Sequence, residues 1–372
     1  MSINACLQRA GGFPGTSLPA RCRDAAAEPA PHRKVRITPH AHISAPRATQ
    51  PVVLFWRYAL PIALIHLLAL LAFLPELFSW TGLVACVLGV HVFGQAITMG
   101  YHRLLAHRSF EVPRWFEHCL VLMALCCMED TPARWVATHR MHHAHSDEED
   151  DPHSPLVTFA WGHMGWLMLV NRDLHGLPSY DRYARDVIRD RWYMALEKRP
   201  WSPLLVYALQ AALFGAAGWA IGALTGPASD AWMMAASAVV WGVLVRTVLV
   251  WHITWSVNSL THLFGYRSHR DTGENSRNNW LVALLAAGEG WHNNHHADPA
   301  ACSVQQRWWE FDLTYWEVRA LKSIGIVRSI TPSRAERVAR AAAARTAPPA
   351  APVAHAGTAP PGALAQPAFD GE

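Results

Sequence analysis

The stretch Trp232–His262, WMMAASAVVWGVLVRTVLVWHITWSVNSLTH, decides the fold. Its first part, Trp232 to Trp251, is apolar and long enough to cross a hydrocarbon core about 30 Å thick. Helical sequence then runs on to His262, which at 1.5 Å per residue stands about 16 Å beyond that core. Arg246 falls near the edge of the core, where its side chain is expected to snorkel toward water. Asn258 and His262 are four apart and share a helix face. A span that carries such a pair out of the membrane predicts a polar cap above a bundle.

Three more apolar runs fit that reading: Pro51 to Leu74, Trp80 to Met99 and Pro203 to Leu224. The second continues directly into His102. The links Pro75–Ser79 and Thr225–Asp230 are short and contain no Lys or Arg, whereas the tails and the middle region are rich in Arg. The positive-inside rule therefore puts both termini and the cap in the cytoplasm. Composition agrees. Apolar residues make up 51% and charged residues 16%, against about 25% charged in soluble domains. Eighteen tryptophans suit a membrane interface. The net charge of +4 comes without a basic–aromatic patch, which argues against nucleic acid. The seven cysteines form no C-x-x-C pair.

The expected fold is all-α: a polytopic membrane protein with four transmembrane helices and a cytoplasmic helical cap. Residues 1–50 read as a disordered basic tail without the apolar core of a secretory signal. Residues 51–330 read as the membrane domain, and 331–372 as a disordered Ala/Pro-rich tail. Within the middle region Phe116–Met128 is too short to span. Pro155–Val170 suggests a helix lying at the interface, and Glu148–Asp151 a solvated turn. Leu313–Ile324 reads as an amphipathic helix capped by Asp312 and ended by Gly325. His66 and His91, inside spans and outside any cluster, read as packing or hydrogen-bonding residues.

The cap's chemistry is carried by Gly288-Glu289-Gly290-Trp291-His292-Asn293-Asn294-His295-His296. Histidines at i, i+3 and i+4 fall on one helix face and can grip a metal together. The pattern recurs as His139-Arg140-Met141-His142-His143, and His102, His107 and His262 complete the set. Nine histidines are too many for one tetrahedral zinc and enough for two metals. His102 and His107, five apart, diverge on an ideal α-helix, so either the helix breaks between them or they serve different metals. Imidazole suits Zn, Cu, Fe and Ni alike. Glu289, read as the one carboxylate within the clusters, is expected to support a histidine from behind. His118, His145, His153, His163, His252 and His269 lack the spacing and are expected not to be ligands.

At these residues the chain resembles the membrane fatty acid desaturases, specifically the acyl-CoA (stearoyl-CoA, delta-9 type) branch. The three boxes are His102-Arg-Leu-Leu-Ala-His107, His139-Arg-Met-His142-His143 and His292-Asn-Asn-His295-His296. The signature Trp255-Ser-Val-Asn258-Ser-Leu-Thr-His262 lies between the second and third. The resemblance runs from about Gly100 through Trp309. It implies an oxidoreductase of lipid metabolism with two irons held by the nine histidines and Asn258 bound through a water. Dioxygen and two electrons would place a cis double bond in a fatty acyl chain. It also implies a bent tunnel in which Trp135, Thr254 and Trp255 line the bend. The chain departs from that branch at Ala137-Thr138, where the animal enzymes have an Arg-Asp pair that helps bind coenzyme A. Arg172 is the first candidate to replace it; Arg134, Arg140, Arg267 and Arg270 are other cations of the cap. Acyl-CoA is thus expected as substrate, bound less tightly and with steeper salt dependence; acyl-carrier protein or a lipid is the other possible carrier. No H-P-G-G haem motif or iron–sulfur cysteine pattern is present, so a separate ferredoxin- or cytochrome-type protein is expected to supply electrons. Two rivals are a membrane hydroxylase or alkane monooxygenase, and a metal transporter. The transporter would place histidines inside the spans, near the midplane.

Overall fold

A computed structural model describes residues 42–346 except 175 and 200. Four helical stretches in it are long and apolar enough to cross a membrane: Trp56–Phe73, Trp80–Ala106, Ser202–Thr225 and Ser229–Leu263. The chain is an integral membrane protein, predominantly helical. The first span begins with α1 (Trp56–Ala69) and the second with α2 (Trp80–Gln95), whose start is capped by Ser79 Oγ accepting from Gly82 N at 2.9 Å. Two short helices of the cap follow, α3 (Arg114–Leu125) and α4 (Pro132–His145). The third span is α5 (Ser202–Thr225). The fourth is built from α6 (Ala228–Val239), a π-helical segment Val240–Val245 and α7 (Arg246–Leu263).

Spans three and four are held together by small residues. A Cβ added at Gly222 would lie 2.6 Å from Ala231 Cα, so only glycine permits this approach of backbones. The outer faces carry exposed Leu205, Leu209, Leu213, Leu60 and Leu67, the surface that lipid covers. The fourth span, at 35 residues, is about 52 Å long at 1.5 Å per residue, well over the hydrocarbon thickness. It therefore rises into the cap as its sequence predicts.

Arg246 does not snorkel. It is fully buried, with Nη2 donating to Gln210 Oε1 at 2.6 Å and Nη1 to Cys126 O at 3.2 Å. Its guanidinium also lies 4.2 Å from the Phe93 ring centroid. Inward partners satisfy its donors, so the side chain has no need of the interface.

The cap is completed by α8 (Trp280–Leu285), α9 (His292–Ala297) and α10 (Leu313–Ser323). Asp312 caps α10 by accepting from Tyr315 N at 3.0 Å, and Gly325 ends that turn with φ 81°. A two-residue pairing of β1 (Phe110–Glu111) with β2 (Ser329–Ile330) ties the end of the domain back to the second span. Three expectations change. Pro155–Val170 is not one helix, since helical residues begin only at Phe159 and end at Met168, where Leu169 bridges to Leu54. Residues 42–50 are not a loose tail: Ile43 N donates to Leu156 O and Thr49 is buried. Arg334–Thr346 forms a helix, α11, anchored by Arg337 to Asp298 at 2.7 Å. The remainder of both expected tails lies outside the described residues.

Candidate metal centre

His102 is carried out of the membrane by a π-helix, Ala96–Ala106, that continues α2 without a break. In this i→i+5 winding residue i+5 stands above residue i, as i+4 does in an α-helix. His107 N accordingly donates to His102 O at 3.1 Å, and the two rings lie 4.8 Å apart. Neither alternative from the ideal α-helix holds: the helix does not break between them, and the two histidines face the same place. Arg140, between two box histidines, fixes this end by donating to the carbonyls of Leu105 and Ala106 at 2.9 and 2.8 Å.

All nine box and signature histidines come together, in two adjoining groups. His102, His107, His139, His143 and His295 form one; His142, His262, His292 and His296 form the other. Within each, the facing ring nitrogens lie within 4.8 Å of one another. Each H-x-x-H-H box is split between the groups. His139 and His143, at i and i+4, share the first, while His142 turns to the second. His292 and His296 share the second, while His295 turns to the first. A single box therefore does not grip one metal, as its one-face reading suggested. The groups touch through His143 and His296, whose ring centroids are 4.4 Å apart.

Carboxylates support the rings from behind. Nδ1 of His102 meets Glu289 at 2.8 Å, that of His142 meets Asp151 at 3.0 Å, and that of His262 meets Asp147 at 3.0 Å. Glu274 lies 3.7 Å from Nδ1 of His296. A ring that donates through Nδ1 turns the lone pair of Nε2 inward. Yet Nε2 of His292 stands 3.1 Å from that of His262 and 3.0 Å from that of His296. One proton on His292 cannot satisfy both neighbours, and Nε2 of His142 has no partner among the described residues. Lone pairs crowded in this way fit a cation between them.

Electrostatics keeps the rings ready. Burial, and then the neighbouring imidazoles and cations, pushes His107, His139, His143, His292, His295 and His296 well below the usual imidazole range. The neutral form is the one that binds metal. Burial opposes ionisation of Glu289, but Arg103 and His102 hold its carboxyl at about 2. Asp147 and Asp151 are likewise held down against burial, chiefly by His262 and His142 respectively.

Glu289 stands where its sequence position suggested. Asp147, Asp151 and Glu274 were not recognised. The run read as a solvated turn instead ends on the fully buried Asp151. Of the histidines expected to stand apart, His118 meets Asp190, His145 meets Tyr183, His269 meets Gln306, and His163 meets His252, which meets His66. His153 comes closest to the centre, stacked on His142 at 4.4 Å in a further group with Asp151.

Two cavities meet beneath the histidines. The first, about 400 Å³, runs from Arg57, Trp201 and Leu204 to Thr138, His139, Trp255 and Asn258. The second, about 170 Å³, lies between α2 and α7 and is lined mainly by apolar side chains. Trp135, His139, Thr254 and Asn258 line both, so the two cavities join in a bend beside the histidine groups. At the turn Glu129 accepts from Thr254 Oγ1 at 2.8 Å and Trp135 Nε1 at 3.4 Å, and burial pushes its carboxyl up to about 8. Arg172 lines neither cavity; it donates to Gln50 O.

The comparisons with known proteins agree with this architecture. A sequence model of the fatty acid desaturase family matches residues 77–324. The chain is 40% identical over 267 residues to an sn-1 stearoyl-lipid 9-desaturase of Synechocystis sp., covering 72% of this chain and 77% of that protein. It is 35% identical to an sn-2 palmitoyl-lipid 9-desaturase of Nostoc sp., covering 78% and 94%. It is 33% identical to an acyl-CoA C20 Delta5-desaturase of Anemone leveillei, covering 72% and 78%. The chain belongs to the fatty acid desaturase family, and is a fatty acid desaturase of the membrane.

Proposed function

We propose that the protein introduces a cis double bond into a saturated acyl chain esterified to a membrane lipid. The observation that carries this is the bent passage whose turn lies directly beneath nine converging histidines. The first group would hold one iron through His102, His107, His139, His143 and His295. The second would hold another through His142, His262, His292 and His296, with Asn258 reaching it through a water. With dioxygen and two electrons from a separate ferredoxin- or cytochrome-type protein, such a centre supplies the oxidising power to take two hydrogens from adjacent methylenes. Two further protons balance the reaction, giving two waters. Trp135, Thr254 and Trp255 shape the turn, so one pair of methylenes faces His139 and Asn258. Beyond the turn, the mainly apolar walls of the second cavity would keep the chain away from water.

A lipid carrier replaces the acyl-CoA expected from the sequence. Ala137 is buried and Thr138 uncharged, and Arg172 is away from the passage. The outer rim of the first cavity combines Arg57 with exposed Trp201 and Leu204, at the cap ends of the first and third spans. Such a rim lies at the membrane interface, where a lipid can lend one chain without leaving the bilayer. The basic middle region and the links without Lys or Arg support a cytoplasmic cap, and the membrane proposed is a bacterial inner membrane. The test is turnover by purified, iron-loaded protein with an electron donor, offering the same acyl chain on phospholipid, acyl-carrier protein or coenzyme A. Desaturation of the lipid is expected. Turnover of acyl-CoA alone overturns the choice of carrier.

A further inference from the structure

The helix α11 (Arg334–Thr346) lies beyond the residues that the family model matches, which end at 324. It carries four arginines against one glutamate, Glu336. At 100° per residue Arg334, Arg337, Arg340 and Arg345 fall within an arc of about 140°. Arg334, Arg340 and Arg345 are exposed, and among the described residues no carboxylate pairs with their side chains. The rest of the helix surface is mostly alanine, with Val338 as the one larger apolar side chain. Such a helix lacks the Trp, Phe or Leu with which amphipathic helices enter a membrane surface.

The root of α11 is tied to the metal centre from two sides. Arg334 N and Arg337 Nη2 donate to the Asp298 carboxylate at 2.6 and 2.7 Å. Asp298 N in turn donates to the His295 carbonyl at 3.1 Å, and His296 stands two residues earlier in the chain. On the other side, β2 ends four residues before α11, and its Ile330 pairs with Phe110, three residues after His107. The second span ends at Ala106, so this root stands outside the hydrocarbon. A molecule seated on the arginine stripe is therefore coupled, through the Arg337–Asp298 pair, to His295 of the first group and His296 of the second.

We propose that the arginine stripe of α11 docks the electron-transfer protein, which meets it with an acidic face. This rests on the desaturase reading, which calls for two electrons from outside the chain. Each docking oxidises one reduced partner by one electron, so one double bond consumes two of them. Those two electrons, two protons and the two hydrogens taken from the acyl chain reduce one dioxygen to two waters. Opposite charge on the two surfaces speeds their encounter, and salt weakens it.

The test uses the full-length, iron-loaded protein in nanodiscs, with a reduced acidic [2Fe–2S] ferredoxin as the probe. The double variant Arg340→Glu/Arg345→Glu reverses two charges and leaves the Asp298 anchor in place. At low salt its KM for ferredoxin should be about tenfold above wild type or more. The gap should narrow as ionic strength approaches about 1 M, where the Debye length is about 3 Å. Turnover of the same samples with dithionite and a viologen mediator should stay within about twofold of wild type. An unchanged KM overturns the proposal, and so does an equal loss with the chemical reductant, which marks α11 as structural. A wild type that the chemical reductant drives and ferredoxin does not also overturns it. If the effect requires anionic lipid in the nanodisc, the stripe binds membrane and the proposal fails. No product from the wild type with the chemical reductant overturns the desaturase reading, and this proposal with it.

Discussion

Asp151→Asn is the sharpest perturbation of the carboxylate frame. The Asp151 carboxylate faces donors only. Oδ2 accepts from Asp147 N at 2.8 Å, Oδ1 from His153 N at 3.1 Å, and both stand 3.0 Å from Nδ1 of His142. A carboxylate can accept from all three; an amide cannot, because its NH₂ must face one backbone N–H whichever way it is turned. One buried donor is left unsatisfied, at about 1–3 kcal/mol. If the NH₂ also displaces the proton of His142 Nδ1, the imidazole carries its proton on Nε2 and cannot bind metal. An analogous tautomer error in a catalytic triad lowers turnover by about 10⁴. Loss of an outer partner typically lowers metal affinity or activity about 10–100-fold. The expected outcome is a folded membrane protein that binds one metal fewer than the wild type and has lost at least about tenfold in activity. The assay is metal per chain by elemental analysis after dialysis against a graded chelator, with turnover measured on the same samples. Two metals retained at wild-type chelator resistance would refute the role given to Asp151.

Other expectations follow from single sites. Arg246→Met keeps the volume but strips Gln210 Oε1 of its donor, so the thermal midpoint in nanodiscs should fall by the equivalent of about 2 kcal/mol; an unchanged midpoint contradicts the buried-partner account. Arg172→Ala should leave KM for acyl-CoA and for lipid within about twofold, because the residue lines neither cavity; a large rise for acyl-CoA alone would restore it as a head-group contact. The metal-free protein should lose stability as pH falls. His107, His139, His143, His292, His295 and His296 have folded pKa values well below the ordinary 6.5. Below about 6.5 the unfolded state therefore binds more protons, and stability drops until the folded values are passed. Thermal unfolding of the chelated protein between neutral pH and about pH 5 checks the sign.

The spans were legible because hydropathy and length are local properties, and Ser229–Leu263 overruns the bilayer by residues that can simply be counted. The histidines were legible as a set, since their spacing survives in any helix. Their division between two groups was not, because which ring of His139, His142 and His143 meets which partner depends on where α9 crosses α4. The π-helix over Ala96–Ala106 leaves no mark in composition, so the separation of His102 and His107 was measured on the wrong winding. Asp147, Asp151 and Glu274 were hidden for another reason. Acidic residues are usually solvated, and only the fold reveals that these three close on Nδ1 atoms. Glu129 and Arg246 show the same limit: each is an ionisable group whose partners are distant in sequence or on another element.

In this proposal the histidine groups drive desaturation of lipid-bound acyl chains. It is tested most directly by the fatty acyl composition of membranes from cells expressing the wild-type protein, His142→Ala or His295→Ala at matched membrane levels. His142 belongs to one group and His295 to the other. The account predicts a new monounsaturated species, on intact lipid, in the wild type and in neither variant. Wild-type levels of that species in either variant would contradict it.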